Sequence, residues 1–377
     1  MKYMGSKRSM LHNGLGKLIL SQANNANRFV DLFCGAGYVS WFAAENTNLP
    51  VLAIDLQKFA VILTGSVISR NVALQANKLY DTWLCKVDRE RKKSPLWKIA
   101  LELENSNRNI KYLVQESRIL CRQLSYIGPI WNAYGGHYFS PTQALTIDYL
   151  LSLLPVDEKE RSVCLAAIIS TASKCSASPG HTAQPFQPTK SAGKFIKSSW
   201  SLDAIILCKK ELFEICPRHA KKKGKAFIAD AIEIAPTLRP SDLVFVDPPY
   251  SDVQYSRFYH VLETIARSER EMVSGIGRYP PISHRPQSGF SKKGHSLTSL
   301  KELLHGLHSA GSTILFTYPK GDSSNGLSGN IIKDIASEIF KVEEQLVDGQ
   351  FSTLGGNNSK RASRMASHEM ILTMKPK

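Results

Sequence analysis

The sequence predicts an α/β protein with a mostly parallel sheet and a helical insertion, and three observations carry that prediction. A strand–turn–helix–strand order runs from Arg28 to about Asn71. A second alternation of strand and helix patterns begins near Ser201. Between them, Ala73 to about Ser199 reads as mostly helical. Strands separated by helix-length segments form βαβ units, which build parallel sheets. The expected division is residues 1–72 and 200–377 as two parts of one α/β core, with 73–199 inserted between them.

Taken in order, "RFVDLF" is a short apolar strand, "CGAG" a tight turn, "YVSWFAAEN" a helix with an apolar face and "VLAIDL" a second strand. The insertion opens on the charged stretch "KVDRERKKSPLWKIALELE" and passes through "YIGPIWNAYGGHYFSPTQ", rich in turn residues and aromatics. It ends in the polar, Pro- and Gly-punctuated "SASPGHTAQPFQPTKSAGKF". Beyond it, "SLDAIILCKKELFEIC" reads as helix, and "KAFIADA", "SDLVFVDPPY", "GSTILFTYPKGD" and "HEMILTM" as strands. The basic run "KKKGK" at Lys221–Lys225 reads equally well as a solvated loop and as a phosphate contact.

Hydrophobic residues make up 43% of the 377, enough to bury a sizeable core. Lys+Arg number 48 against 32 Asp+Glu, a formal charge of +16. Such a balance favours a polyanionic partner, through counterion release and electrostatic steering. The seven cysteines are odd in number and no pair has C-x-x-C spacing, which argues against a disulfide framework and a zinc site. The histidines are scattered, with no H-E-x-x-H, so no metal is expected. The N-terminal "MKYMGSKRSMLHNG" lacks the apolar region of a secretory signal, and no run of about 18 apolar residues occurs. These features read as a reducing, cytoplasmic setting without a membrane span.

"FVDLFCGAG" places Asp31 in a strand and Gly35 and Gly37 in the turn after it. Glycine permits positive φ and close backbone approach to a ligand. An ordinary strand-to-helix turn would look the same. The dinucleotide pattern G-x-G-x-x-G fails because Ser40 stands where its third glycine would fall, so a pyrophosphate is not the expected ligand. Asp55 ends the second strand, where a carboxylate can accept both ribose hydroxyls or cap the next helix. Together these features suggest a nucleoside cofactor without a diphosphate, and S-adenosyl-L-methionine fits.

"VFVDPPY" closes a strand with Asp247, Pro248, Pro249 and Tyr250. Proline has no N–H and a fixed φ, so the pair stiffens the loop and leaves its acceptors unpaired. Strand carboxyl ends are where α/β sheets hold ligands. The Asp247 carboxylate and the Pro248 carbonyl can converge on one donor, such as the exocyclic amine of a base. Two acceptors on that amine would localise its lone pair for attack on a sulfonium methyl, by orientation and electrostatics. Tyr250 would stack on the base, which must first leave its duplex. A plain structural turn is the alternative.

These stretches resemble the Dam-type DNA N6-adenine methyltransferases. "KYMGSKRSML" is similar to the family's N-terminal element, "FVDLFCGAG" to its cofactor loop, "AFIADA" with "VFVDPPY" to its adenine-contacting strand and catalytic loop, and "QYSRFYHVLETIA" to the segment that follows. Weaker echoes are "YFSPTQALTID" and "SGFSKK". The resemblance implies a Rossmann-like methyltransferase core in which 73–199 recognises the target. It implies that Tyr3, Gly5 and Lys7 contact the cofactor, and that Asp31, Phe33, Gly35 and Gly37 form its loop. Asp55 would hold the ribose, Asp230 the cofactor's adenine amine, and Asp247, Pro248 and Tyr250 the target adenine. Tyr255 and Tyr259 would line the catalytic face or pack in a helix. The basic segment 274–294 reads as a DNA-contacting loop, with a disordered surface loop as the alternative.

The resemblance implies methyl transfer to adenine N6 in DNA, with a double-stranded substrate expected, in a modification or defence setting; a restriction partner, a defence system and an orphan enzyme stay open, and a monomer is the default for an asymmetric base-flipping enzyme. N4-cytosine and RNA adenine methylation use related loops and stay open. A catalytically inert binding protein on the same fold is the alternative of a different class, disfavoured because Gly35, Gly37, Asp55 and Asp247 are all present.

Overall fold

The computed structural model describes residues 7–106, 108–124, 126, 128–352 and 364–377. They fall into two compact units. The first comprises Met4–Val72, His219–Tyr255 and Pro286–Lys377. The second is built from Ala73–Arg218 and Ser256–Arg285.

The first unit holds a seven-stranded sheet in the order β3-β2-β1-β4-β5-β7-β6. Its strands are β1 Arg28–Asp31, β2 Val51–Asp55, β3 Lys225–Ile228, β4 Asp242–Val246, β5 Thr313–Pro319, β6 Phe340–Ser352 and β7 Arg364–Pro376. Neighbours from β3 to β5 pair in parallel, and β7 runs antiparallel to both β5 and β6. The expected strands at "RFVDLF", "VLAIDL", "KAFIADA", "SDLVFVDPPY", "GSTILFTYPKGD" and "HEMILTM" all lie in this sheet. It is a mostly parallel, Rossmann-like sheet.

β4 is buried along its whole length, as a central parallel strand with both faces covered must be. On one face Val30, Val244, Val246, Ile314, Phe316 and Met370 join one apolar cluster with Leu303, Leu307 and Ile332. The last three come from helices Ser296–Ala310 and Gly329–Ile339. Helices Tyr38–Asn46 and Lys58–Ile68 pack on β1, β2 and β3 without entering that cluster, so both faces are covered. Register between the two central strands is pinned at their amino ends. Arg28 pairs with Asp242, donating from Nε to Oδ1 at 2.9 Å and from Nη2 to Oδ2 at 2.6 Å. Such a two-pronged contact tolerates little slippage.

The second unit is helical. Its longest helix, Glu158–Cys175, starts where Asp157 accepts the N–H groups of Lys159 and Glu160. Ser140 and Gln143 form a reciprocal capping box for Pro141–Ser152. The turn-rich stretch "YIGPIWNAYGGHYFSPTQ" is core: Trp131, Tyr134, Tyr138 and Phe139 are fully buried. Asp148 accepts the N–H groups of Ile130 and Trp131 at 2.9 Å each. Glu158–Cys175 packs on both Ala204–Ile215 and His260–Arg267. Residues 200–218 and 256–285 therefore lie in this unit, beyond the boundary drawn from composition. Among the described residues no helix is long and apolar enough to cross a membrane.

The basic segment 274–294 is tied down along its length. Ser274 bridges Tyr279, and the Tyr279 hydroxyl donates to the Ala183 carbonyl at 2.5 Å. Further on, Gln254 and Ser288 exchange hydrogen bonds of 2.8 and 2.9 Å. "KKKGK" leads into β3, and its Lys221 N–H donates to the Ala44 carbonyl and its Gly224 N–H to the Ile68 carbonyl.

Candidate active site

The chain runs outward from β1 to β2 and β3, then crosses back to lay β4 on the other side of β1. The strand order therefore reverses between β1 and β4, and such a switch point opens a crevice at the strand carboxyl ends. Four carboxylates gather along that edge. Asp31 ends β1, Asp55 ends β2, Asp230 follows β3 and Asp247 follows β4.

Asp31 is only 1% exposed. It accepts the Ser40 hydroxyl at 2.6 Å and the Phe33 N–H at 3.3 Å. Burial pushes its carboxyl up to about 7 against those two donors, and the nearby Asp247 and Asp55 add to the rise. Ser40, which breaks the dinucleotide pattern, thus has a positive task. Gly35 and Gly37 both take positive φ, at 48° and 81°. A Cβ on Gly37 would stand 2.9 Å from Thr64 Oγ1 and 3.1 Å from Trp41 Nε1, so the turn has no room for a side chain there. The Asp55 carboxylate accepts the Gly35 N–H at 3.0 Å and the Gln57 N–H at 2.9 Å. It clamps the glycine turn onto β2 as well as standing at the strand's end. Phe33 meets Phe290 edge to face at 5.5 Å. Asp230, half-buried, caps the short helix after β3 by accepting the Ile232 N–H at 2.9 Å.

Across the switch point, Asp247 receives two contacts on one oxygen. Lys7 Nζ lies 2.9 Å from Oδ1, and the Thr317 hydroxyl of β5 donates to the same atom at 2.9 Å. Oδ2 carries neither contact. Lys7, 4% exposed, also stands 3.4 Å from Glu369 Oε2 of β7 and 5.8 Å from the centre of the Tyr250 ring. Burial works against the Lys7 ammonium, but Asp247 and Glu369 outweigh it and hold the lysine protonated. Burial raises the Asp247 carboxyl above its ordinary range, while Lys7 and Thr317 pull it back. The expected cofactor lysine is thus the ion-pair partner of the proposed catalytic aspartate.

The Asp-Pro-Pro-Tyr loop is braced from behind by Asn325, which is fully buried. Its Nδ2 donates to the Pro249 and Phe290 carbonyls at 3.0 Å each, and its Oδ1 accepts the Tyr318 hydroxyl at 2.9 Å. The Pro248 carbonyl lies past the last ladder pair of β4, Val246 with Phe316. Tyr250 packs edge to face with Tyr318 at 6.3 Å, and burial pushes its hydroxyl up to about 12.

Reading the sequence missed Ser40, Thr317, Asn325 and Glu369. Ser40 offered one signal, its place where a glycine was expected; the other three lie far along the chain from the motifs they serve. Tyr255 bonds to Tyr250, whereas Tyr259 is fully buried and packs within its helical surroundings. Tyr3 and Gly5 lie outside the described residues.

The doubly wound sheet thus carries a glycine turn after β1, an acidic residue ending β2 and Asp-Pro-Pro-Tyr after β4. Residues 171–311 match the family of D12 class N6 adenine-specific DNA methyltransferases, which bears out the resemblance read from the motifs. The chain is 25% identical over 347 residues to modification methylase StsI of Streptococcus sanguinis, covering 89% of this chain and 46% of that protein. It is 28% identical over 312 residues to modification methylase LlaI of Lactococcus lactis subsp. lactis, covering 80% and 44%. It is 27% identical over 277 residues to the type II methyltransferase M.FokI of Planomicrobium okeanokoites, covering 71% and 37%. The chain spans less than half the length of these relatives.

Proposed function

We propose that this chain transfers a methyl group from S-adenosyl-L-methionine to the N6 amine of an adenine in DNA, as a modification methyltransferase. The observation that carries the reading is the Asp247 carboxylate at the β1–β4 switch point, held through Oδ1 by Lys7 and Thr317. Its Oδ2 and the Pro248 carbonyl are the acceptors for an exocyclic amine. A carboxylate accepts both direct and charge-assisted hydrogen bonds, so it draws electron density toward the amine nitrogen without becoming a covalent partner. Lys7 pulls that carboxyl back toward its ionised form against burial, and Asn325 fixes the loop that presents the Pro248 carbonyl. Tyr250, anchored on Tyr318, offers a face for stacking the base.

The donor set fits the cofactor. Carboxylates stand at the ends of β1 and β2 and just after β3 and β4, and burial, with the nearby Asp247 and Asp55, raises the Asp31 carboxyl. A ligand carrying a sulfonium, an ammonium, ribose hydroxyls and an adenine amine supplies positive charge and donors to such an edge. When bound, it supplies an electrophilic methyl group. Asp31, Phe33, Gly35, Gly37, Asp55 and Asp230 would hold it.

Purified protein, labelled S-adenosyl-L-methionine and unmethylated genomic DNA, with RNA in parallel, test the reading after digestion to nucleosides and identification by mass. N6-methyladenine from DNA is the expected product. N4-methylcytosine, or label only in RNA, would keep the site and change the substrate. Failure to bind the cofactor would overturn the reading altogether.

A further inference from the structure

We propose that the helical unit carries a cationic groove for the phosphodiester backbone of the nucleic-acid substrate, centred on Arg118 and Arg278. The proposal rests on the reading of the chain as a DNA-modifying enzyme and adds a second site to it.

A cavity of about 580 Å³ is lined by Lys111, Arg118, Arg122, His137 and Arg278, and no carboxylate lines it. Cations that leave bulk water normally find an anionic partner. Among the described residues, the hydrogen-bond partners of Arg118 and Arg278 are neutral acceptors. Arg118 donates to the Gly136 carbonyl at 3.1 Å and to Gln187 Oε1 at 3.3 Å. Arg278 donates to the Ala133 and Asn132 carbonyls at 2.8 and 3.1 Å. Burial, followed by the charge of Arg278, presses the Arg118 guanidinium below its usual range. His137 is pushed down to about 3 by burial and by the same two arginines, and so stays neutral. Among the described residues, the lining concentrates positive charge and supplies no carboxylate to balance it.

The backbone supplies an independent sign. Arg278 has φ 53°, and among the described residues it shares a left-handed φ with no other non-glycine residue but Ser268. A non-glycine side chain in that region costs on the order of 1 kcal/mol and is retained where its placement matters. The two hydrogen bonds to Ala133 and Asn132 hold the guanidinium against the cavity wall.

A second cavity, of about 840 Å³, shares Lys111 and Pro188 with the first and adds Arg108, Lys190, Lys194 and Lys197. Its acidic lining residue, Glu104, is engaged by Thr142, whose N–H and hydroxyl it accepts at 2.7 Å each. Two adjoining cationic cavities with a common wall match a row of phosphates rather than one free anion. This selects a nucleic-acid strand as occupant.

The test is DNA binding by fluorescence anisotropy on the full chain, without cofactor, across a salt series. Each phosphate contact adds about 0.9 to the slope of log affinity against log salt, or about 3.5-fold between roughly 50 and 200 mM. Arg118→Gln, Arg122→Gln and Lys194→Gln are each expected to lower that slope by about one contact. Arg278→Gly should do the same, and glycine adopts the left-handed backbone without strain. Lys210→Gln, at an exposed helix position outside both cavities, should leave it unchanged. Wild-type slopes in the Arg118, Arg122 and Lys194 variants overturn the groove, and so does a variant whose weaker binding merely tracks a loss of folded protein by thermal unfolding. Competition by inorganic phosphate at these residues with no effect on duplex binding assigns a free-anion site and overturns the strand. Methyl transfer is assayed separately on the same preparations. Unchanged slopes in an active enzyme fault the groove alone, whereas groove-dependent binding by an enzyme that transfers nothing faults the reaction alone.

Discussion

Replacing Lys7 by Met removes a buried ammonium from between two carboxylates while keeping most of the side chain's volume. In the wild type, Lys7 stands 2.9 Å from Asp247 and 3.4 Å from Glu369, so the trio carries one net negative charge. Without the ammonium it carries two, in a site that excludes most water. The variant recovers the original charge by binding one proton, and Asp247, already raised by burial, is the acceptor. Holding a proton at pH 7 on a group whose ordinary value is 3.8 costs about 1.4 kcal/mol per pH unit, or about 4 kcal/mol. That ceiling agrees with the roughly 3–5 kcal/mol lost when one partner of a buried ion pair is removed. The sign follows from the raised carboxyl. The folded variant binds more protons than the unfolded chain between the unfolded and folded values, so its stability falls as pH rises through that window. The deficit against wild type should be at most about 4 kcal/mol at pH 7 and shrink toward pH 5 by up to about 2.7 kcal/mol. Urea unfolding at the two pH values measures it. A protonated Asp247 is only a neutral, weaker acceptor for an amine hydrogen, so methyl transfer at pH 7 should fall at least tenfold. Equal deficits at pH 5 and 7, or wild-type transfer by the variant, would refute the reasoning.

Asp247→Ala should abolish methyl transfer and leave cofactor binding by calorimetry largely intact, since the cofactor loop lies on β1 and β2; transfer at the wild-type rate would mean that the site is misassigned. Ser40→Ala strips the Asp31 carboxylate of its 2.6 Å donor, and an unsatisfied buried group costs about 1–3 kcal/mol. Its melting temperature and cofactor affinity should both drop, and more so above pH 7, where Asp31 must ionise. Asn325→Leu leaves the Pro249 and Phe290 carbonyls and the Tyr318 hydroxyl without their partner. It should destabilise the fold by about 2–4 kcal/mol and lower the transfer rate more than cofactor affinity, which single-turnover assays and calorimetry separate.

The two motifs that mark the site were legible because each is local. A glycine turn needs its glycines within a few residues, and a strand that ends in Asp-Pro-Pro needs only its own chain. The same holds for the helix caps at Asp157 and Ser140, which act within one turn. The role of Lys7 was not legible in this way. A lysine close to the N-terminus shows no preference for an aspartate near residue 247 until the sheet places β4 beside β5 and β7 beyond it. Asn325 likewise sits in a polar stretch, "KGDSSNGLSGN", that reads as a loop tip, yet it is fully buried. The boundary near residue 200 was misplaced for a related reason. Composition changes there, but the helix Ala204–Ile215 packs on Glu158–Cys175, and packing decides which unit a helix joins.

By itself the sequence determined the α/β class, the βαβ opening, the glycine turn, the acidic strand ends and the Asp-Pro-Pro-Tyr loop. Hydrophobic period and turn chemistry are properties of neighbouring residues, and they survive without any knowledge of the fold. Tertiary structure alone decided what holds those pieces in their working state. It joined Ser40 to Asp31, Asp55 to the glycine turn, Lys7 and Thr317 to Asp247, Lys7 to Glu369, and the arginines of the helical unit around one cavity. Burial sets the strength of each of these contacts by removing the water that would otherwise screen it, and burial is a property of the packed chain that no short stretch of sequence possesses.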